Sequence, residues 1–386
     1  MRTEFEFYSP VKIVTGVGKS QHMDQWAKEF NAKRLLVITG DHVSKSESFL
    51  EFADCMKELE LNFEIFSRTV PEPPMEMVDQ LADYMREQEF DLVIAVGGGS
   101  PMDTAKAVCM LKNNEGKIKD YLFGGTKTPI HPSIPLICIP TTAGSGSEVS
   151  AASVIEDTEN HIKLSCTHPN LLPKVAIIDP LLQLDMPPRI TAGTGMDAMT
   201  HAIEAYTSKN ASVFSDLYAR RAIELIGAYL PKVMEDPKDL DARMMMAQAS
   251  SMAAIAFLNG GLGAVHGISQ TMGGIAHTPH GISNAILLPK VMAYNYIGNL
   301  DRFADIAGLL GCDTKGMTKE EAAKQAVLLI KELNKRVGIP EHISELGVTK
   351  EMFPQIAEGT MEYRLLWMNP VEFTEELTLR VLEDSF

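Results

Sequence analysis

Asp197 and His201 stand four residues apart within Gly195-Met196-Asp197-Ala198-Met199-Thr200-His201-Ala202-Ile203-Glu204-Ala205-Tyr206. The stretch is Ala-rich and free of Pro, which predicts a helix, with Thr191 and Thr194 ahead of it as expected caps. A carboxylate and an imidazole at that spacing leave one helical face about a turn apart and can grip one metal ion together. Further imidazoles follow in Val265-His266-Gly267 and in His277-Thr278-Pro279-His280-Gly281. One acid with two or three histidines is an N/O donor set suited to a divalent first-row metal such as iron or zinc. Alone, an Asp/His pair is ordinarily just a hydrogen-bonded pair. The later histidines and an upstream phosphate-binding loop are what point to a metal.

That loop lies in Asp91-Leu92-Val93-Ile94-Ala95-Val96-Gly97-Gly98-Gly99-Ser100-Pro101-Met102-Asp103-Thr104-Ala105-Lys106. A buried strand runs into three glycines and then a helix. Backbone amides there can approach an anion, Ser100 is an expected cap, and Pro101 suits a first helical turn. The pattern is not G-x-G-x-x-G, so the usual dinucleotide fingerprint does not transfer. A second loop, Thr141-Thr142-Ala143-Gly144-Ser145-Gly146-Ser147-Glu148, follows the strand Pro135–Pro140 and offers hydroxyl donors to a ribose or phosphate.

Further strands are expected over 5–14, 34–39, 63–66 and 175–180, with a helix over 75–88. Lys163 sits in an extended stretch. Met186-Pro187-Pro188-Arg189 reads as a domain boundary. The alternation before it predicts an α/β domain with a largely parallel sheet over 1–186, Rossmann-like in class. Beyond it, long segments over 216–230, 241–257 and 320–337 predict an all-α domain over 187–386, with His277 and His280 just before a helix beginning near Ile282.

The 386 residues suffice for two domains, and 45% hydrophobic with 22% charged residues is a globular balance. A net charge of −16 argues against nucleic acid or an anionic membrane as partner. Five scattered cysteines without a Cys-x-x-Cys pair read as reduced thiols of a cytoplasmic protein. Met1-Arg2-Thr3-Glu4-Phe5-Glu6 lacks the apolar region of a secretory signal, and the apolar run over 252–265 is too interrupted to span a bilayer.

Taken together these residues resemble the iron-containing (group III) alcohol dehydrogenases, among them lactaldehyde reductase and the propanediol and butanol dehydrogenases. The likeness runs from Phe5-Glu6-Phe7 and Pro10 to the C-terminal helices. It is most specific at Gly97 to Lys106, Pro140 to Val149, Gly195 to Tyr206 and Val265 to Leu288. It implies a nucleotide domain, a helical metal domain and catalysis in the cleft between them. Asp197, His201, His266 and His280 match the four metal ligands, for Fe2+ or Zn2+. Gly97, Gly98, Gly99, Ser100, Asp103, Thr141, Thr142, Ser145 and Lys163 match the NAD(H) or NADP(H) site. Phe257 matches a position beside the substrate, and Ala152 with Phe257 suits a short aliphatic chain.

The resemblance also implies reversible hydride transfer between a primary alcohol or its aldehyde and the nicotinamide, in a homodimer or higher homo-oligomer. Two departures stand out. Many members carry a histidine four residues after the third ligand; here Gln270, which cannot titrate, stands there, and His277 becomes the nearest candidate for a proton relay. NAD-preferring members often carry Asp where this chain has Gly40, with Asp41 one place later, which leaves NAD and NADP both open. Two rivals are the metal-dependent lyase chemistry of dehydroquinate synthase and a non-catalytic nucleotide-binding scaffold.

Overall fold

A computed structural model describes residues 4–9, 11–160 and 162–386. Met1-Arg2-Thr3 and Pro10, which enter the N-terminal reading and the resemblance, lie outside the described residues. The chain divides into two compact units.

One unit spans Ser9–Thr142 and Gly146–Met186. Its strands are β1 (Lys12–Thr15), β2 (Leu35–Gly40), β3 (Phe63–Thr69), β4 (Leu92–Gly97), β5 (Leu136–Pro140), β6 (Ala152–Asp157), β7 (Ile162–Thr167) and β8 (Val175–Ile178). Its helices are α1 (Met23–Glu29), α2 (Glu47–Glu58), α3 (Met75–Glu87) and α4 (Gly99–Asn113). Six strands form a parallel sheet in the order β1-β8-β5-β4-β2-β3, and β6 and β7 pair antiparallel beside it. The sheet is buried on both faces, which is why its central strands read as continuous apolar runs. Leu36, Ile38, Val93, Ala95 and Cys138 join one core layer, while Leu35, Val37, Ile94, Val96 and Ile139 join the other. The period of two along each strand makes that division.

β2 and β4 are neighbours, yet the chain leaves β2 toward β3 on one side and β4 toward β5 on the other. Their carboxyl ends therefore flank a topological switch point, where open α/β sheets bind ligands. Gly40 and Gly97 close those two strands.

The other unit comprises the stretch up to Tyr8, Ala143–Ser145 and Pro187–Phe386. Its helices are α5 (Pro188–Thr207), α6 (Val213–Glu235), α7 (Leu240–Gly260), α8 (Ala264–Ala276), α9 (His280–Asn295), α10 (Leu300–Leu309), α11 (Lys319–Arg336), α12 (Phe353–Met361) and α13 (Glu375–Ser385). Helix α5 runs through the middle of the unit. Met196, Met199 and Ile203 enter the apolar core, each such side chain contributing about 1.5–3 kcal/mol on burial. Gly281, beside His280, lies against α5 so closely that a Cβ there would sit 2.5 Å from the Gly193 carbonyl. Glycine at that point lets the His280 helix approach the Asp197 helix.

Several sequence expectations need correction. Helix α5 begins at Pro188, a favoured first helical residue, so Thr191 and Thr194 lie inside it and cap nothing. Thr194 Oγ1 donates to the Ile190 carbonyl, and Thr191 Oγ1 accepts from buried Arg243. Helix α4 begins at Gly99 after Gly98, without a side-chain cap, so Ser100 is a helical residue. The early strand shrinks to Lys12–Thr15, because Phe5 and Phe7 pack on Phe214, and Phe7 also on Tyr218, in the helical unit. His280 is the first residue of its helix. Among the described residues no single helix is long and apolar enough to cross a membrane; only α7 and α8 taken together reach that composition, and they are bent by 102°.

Candidate metal centre and nucleotide cradle

On α5, Asp197, His201 and Glu204 fall on one stripe, at i, i+4 and i+7. All three are buried, so each polar side chain must find a partner. Asp197 and His201 meet His266 from α8, their ligand-capable atoms lying within 4.8 Å of one another. Asp197 Oδ1 lies 4.0 Å from His201 Nε2, 3.8 Å from His266 Nε2 and 3.6 Å from His280 Nε2. His280 comes from the first turn of α9 and is the open side of the cluster, its side chain 39% exposed. Phe257 of α7 stacks on His201, ring centroids 4.5 Å apart.

Glu204 fixes His266. Its Oε2 lies 2.6 Å from His266 Nδ1, and its Oε1 accepts from the Val265 amide at 2.8 Å. Nδ1–H donates to that carboxylate, which leaves the Nε2 lone pair facing Asp197 and the other imidazoles. Helix α8 follows Gly263 and has no side-chain cap of its own. Glu204 and Asn369, whose Oδ1 accepts from the Ala264 amide at 3.1 Å, take its first N–H groups instead. The helix carrying His266 is thus fastened to the helix carrying Asp197 and His201.

The protonation of the cluster suits metal ligation. Burial pushes His201 down to about 3, against the opposing pull of Asp197, so its imidazole is neutral at ordinary pH. Its Nδ1 lies by the Gly144 backbone without a hydrogen bond of ordinary geometry. Burial disfavours the Asp197 charge, but the three histidines and the Asn284 amide outweigh it and hold the carboxyl below its usual range. For His266 burial is likewise opposed, by Glu204 and Asp197, and the net direction is upward. A charged carboxylate with imidazole lone pairs, gathered where water is excluded, fits a divalent cation.

The sequence reading missed Glu204 and Asn284. Glu204 continues the Asp197/His201 stripe by one turn, and Asn284 stands four residues after His280; the same spacing argument applied once more reaches both.

His277 ends α8 in the left-handed conformation, φ 51°, and is exposed. Its backbone amide donates to the Gly273 carbonyl at 3.0 Å.

In the α/β unit, Gly97, Gly98 and Gly99 lead from β4 into α4. A Cβ on Gly97 would lie 2.6 Å from Pro101 Cγ, so only glycine permits this turn into the helix. The uncapped start of α4 at the switch point presents N–H donors suited to an anion. Gly98 faces Thr142, with 3.4 Å between its Cβ position and the threonine side chain. The Thr141 amide donates to the Gly97 carbonyl, which ties the two loops together. Ala143, Gly144 and Ser145 group with the helical unit, where a Cβ on Gly144 would sit 2.6 Å from Thr194 Cβ.

Three residues assigned to the nucleotide have other partners. Asp103 accepts from Ser147 Oγ at 2.6 Å and from the Val154 amide at 3.0 Å. It braces buried Lys106, whose Nζ donates to Ser147, Ser150 and the Ala152 carbonyl at 2.6–2.8 Å. Lys163 pairs with Glu72 at 2.6 Å. Asp41, beside Gly40, is exposed and pairs with Lys45, which holds its carboxyl below the usual range.

A doubly wound sheet with an anion-ready helix start and a buried carboxylate–imidazole cluster are, on one chain, the equipment of a metal-dependent, nucleotide-linked dehydrogenase. Comparison with known proteins narrows that class. The profile "Iron-containing alcohol dehydrogenase" matches residues 10–180, and "Fe-containing alcohol dehydrogenase family, C-terminal" matches residues 191–386. The NAD-dependent methanol dehydrogenase of Bacillus methanolicus is 36% identical over 98% of this chain and 99% of its own. The 1,3-propanediol dehydrogenase of Klebsiella pneumoniae is 39% identical over 92% of each chain. A crystal structure of 1,3-propanediol oxidoreductase superimposes with a TM-score of 0.95 at 34% identity, covering 99% of this chain and 100% of that one. The chain belongs to the iron-containing alcohol dehydrogenase family. It is an oxidoreductase that moves hydride between an alcohol or aldehyde and a nicotinamide nucleotide, with a metal as second cofactor. Family membership decides for that reaction over the lyase and scaffold readings.

Proposed function

We propose that Asp197, His201, His266 and His280 hold one divalent cation, and that the enzyme interconverts short aliphatic primary alcohols and their aldehydes with NAD(H). The observation that carries this reading is the gathering of three imidazoles, from α5, α8 and α9, around Asp197 Oδ1. When bound, the metal supplies Lewis-acid polarisation of the substrate oxygen and the nicotinamide supplies hydride chemistry.

The chain's own residues do the rest. Asp197 offsets the cation's charge, and Glu204 keeps His266 in the tautomer that presents Nε2. Phe257, stacked on His201, is an apolar wall suited to an alkyl chain. Gly97, Gly98, Gly99 and Ser100, with Thr141, Thr142 and Ser145, receive the dinucleotide at the start of α4. Lys163 serves there when it leaves Glu72, and Gly40 with Asp41 receives the adenosine ribose. Exposed His277 passes protons between substrate and solvent. NAD is favoured by the NAD-dependent methanol dehydrogenase among the relatives. Five unpaired thiols suit a reducing compartment, the cytoplasm. The family resemblance favours a homodimer.

The test is a panel of short aldehydes with NADH and NADPH after loading with Fe2+ or Zn2+, on the parent chain and on His266→Ala. The parent chain should oxidise NADH with a short aliphatic aldehyde. His266→Ala should lose turnover and metal while keeping its NADH affinity. Full activity of that variant with its metal retained would contradict the assignment.

A further inference from the structure

Asn284 stands on α9 one turn after His280 and is fully buried. Its Nδ2 lies 2.7 Å from Asp197 Oδ1 and 3.1 Å from the Nε2 atoms of both His266 and His280. Chemistry fixes the orientation of this carboxamide. The Asp197 carboxylate only accepts, so the group facing it is the NH2 end. Two protons serve three acceptors: one goes to the carboxylate, and the second is shared between the two imidazoles. The opposite end, Oδ1, is buried without a hydrogen-bond partner. Buried polar atoms normally find partners, so this side chain leaves one end unsatisfied while the other meets the cluster.

The lone pairs that Nδ2 meets belong to three of the four atoms assigned above to the cation. A proton donor and a cation cannot occupy the same lone pairs. We propose that Asn284 is a built-in competitor for the metal, a positioning residue that holds the ligands together before metal arrives and must withdraw its NH2 when metal binds. The proposal rests on the ligand assignment of the preceding section. Without a metal, the amide keeps a buried carboxylate and two imidazoles from facing one another unsatisfied. Metal uptake breaks these bonds, so affinity is lower and uptake slower than the four ligands alone would give.

Cobalt titration of the full chain tests this. Protein stripped by a chelator is titrated with Co2+, followed by the visible absorption of the bound ion, with thermal unfolding of stripped and loaded forms in parallel. Asn284→Ala, and Asn284→Leu of closer size, both lack the donor. Each should bind Co2+ more tightly than the parent, on the order of tenfold, the scale of a lost hydrogen bond to a charged group, and take it up faster. The stripped variants should melt below the stripped parent, whereas the loaded forms melt together. A merely structural role would weaken Co2+ binding, and that result, or unchanged affinity in whichever variant folds, overturns the proposal. Asp197→Ala separates the two layers. If it gives the parent's Co2+ spectrum, the ligand assignment itself fails; if it loses the spectrum while the Asn284 variants bind no tighter, only the competitor role fails.

Discussion

A histidine can serve a metal only if it is neutral and aimed, and the two buried histidines meet that demand in different ways. His201 is neutral because burial holds it down to about 3. His266 is aimed by Glu204, which also raises its proton affinity. On the ligand set proposed above, metal binding displaces a proton from His266 once the pH falls through its raised range, but none from His201. Apparent metal affinity should be level above that range and fall about tenfold per pH unit below it. A pH series of Zn2+ titrations by calorimetry checks this; affinity that stayed level down to pH ~5, below the ordinary histidine range, would contradict it. Replacing Glu204 by Gln removes the charge and the acceptor pair that set the tautomer. Metal affinity should drop by about 10–100-fold, read from metal retained after dialysis, with the fold unchanged by circular dichroism. At this scale the Asp197/His201 pair was legible because helical spacing alone puts both on one face. The same spacing puts Asn284 on the face of His280, but its contacts to Asp197 and His266 were not legible, because those partners come from two other helices.

Elements explain why these side chains stay where they are. Helix α5 is buried along nearly its whole length, so its polar stripe is enforced by neighbours on every side. Helix α8 borrows its N-terminal acceptors from Glu204 and Asn369. In the α/β unit, Lys106 on α4 has the same role toward the loop after β5: it is fully buried and bonded to Ser147, Ser150 and the Ala152 carbonyl, with Asp103 3.6 Å away. Burial is the largest influence on both members of that pair, lowering Lys106 and raising Asp103. Lys106→Met should leave the largely buried Asp103, its side chain 15% exposed, without its cation and cost about 3 kcal/mol, the lower end for a buried pair, read as a lowered denaturant midpoint. A loss below about 1 kcal/mol, the scale of an exposed pair, would mean the charge is solvated. Strands β2, β4, β5 and β8 were legible as apolar runs, and α6, α7 and α11 as long segments with few breakers. The N-terminal strand was overcalled because alternation cannot distinguish a strand from Phe5 and Phe7 packing on α6. The stretch around Lys163 was legible as extended, but the β6–β7 pairing was not, because half-exposed strands carry little periodicity.

For the whole molecule, the proposed nucleotide cradle and the proposed metal cluster have separate supports: a parallel sheet with its switch point at β2 and β4, and a helical unit centred on α5. The break near Pro187 was visible as a change of pattern. The inclusion of Ala143–Ser145 and the N-terminal stretch in the helical unit was not, since both depend on contacts distant in sequence. The family likeness over the full length carries the reaction class. The ligand set is the claim on which the rest depends. It is tested most directly by diffraction at the absorption edge of the bound metal, on crystals of the loaded enzyme. The account predicts one anomalous peak per chain, bounded by an Asp197 carboxylate oxygen and the Nε2 atoms of His201, His266 and His280. An active enzyme whose peak lies away from these four atoms would contradict it.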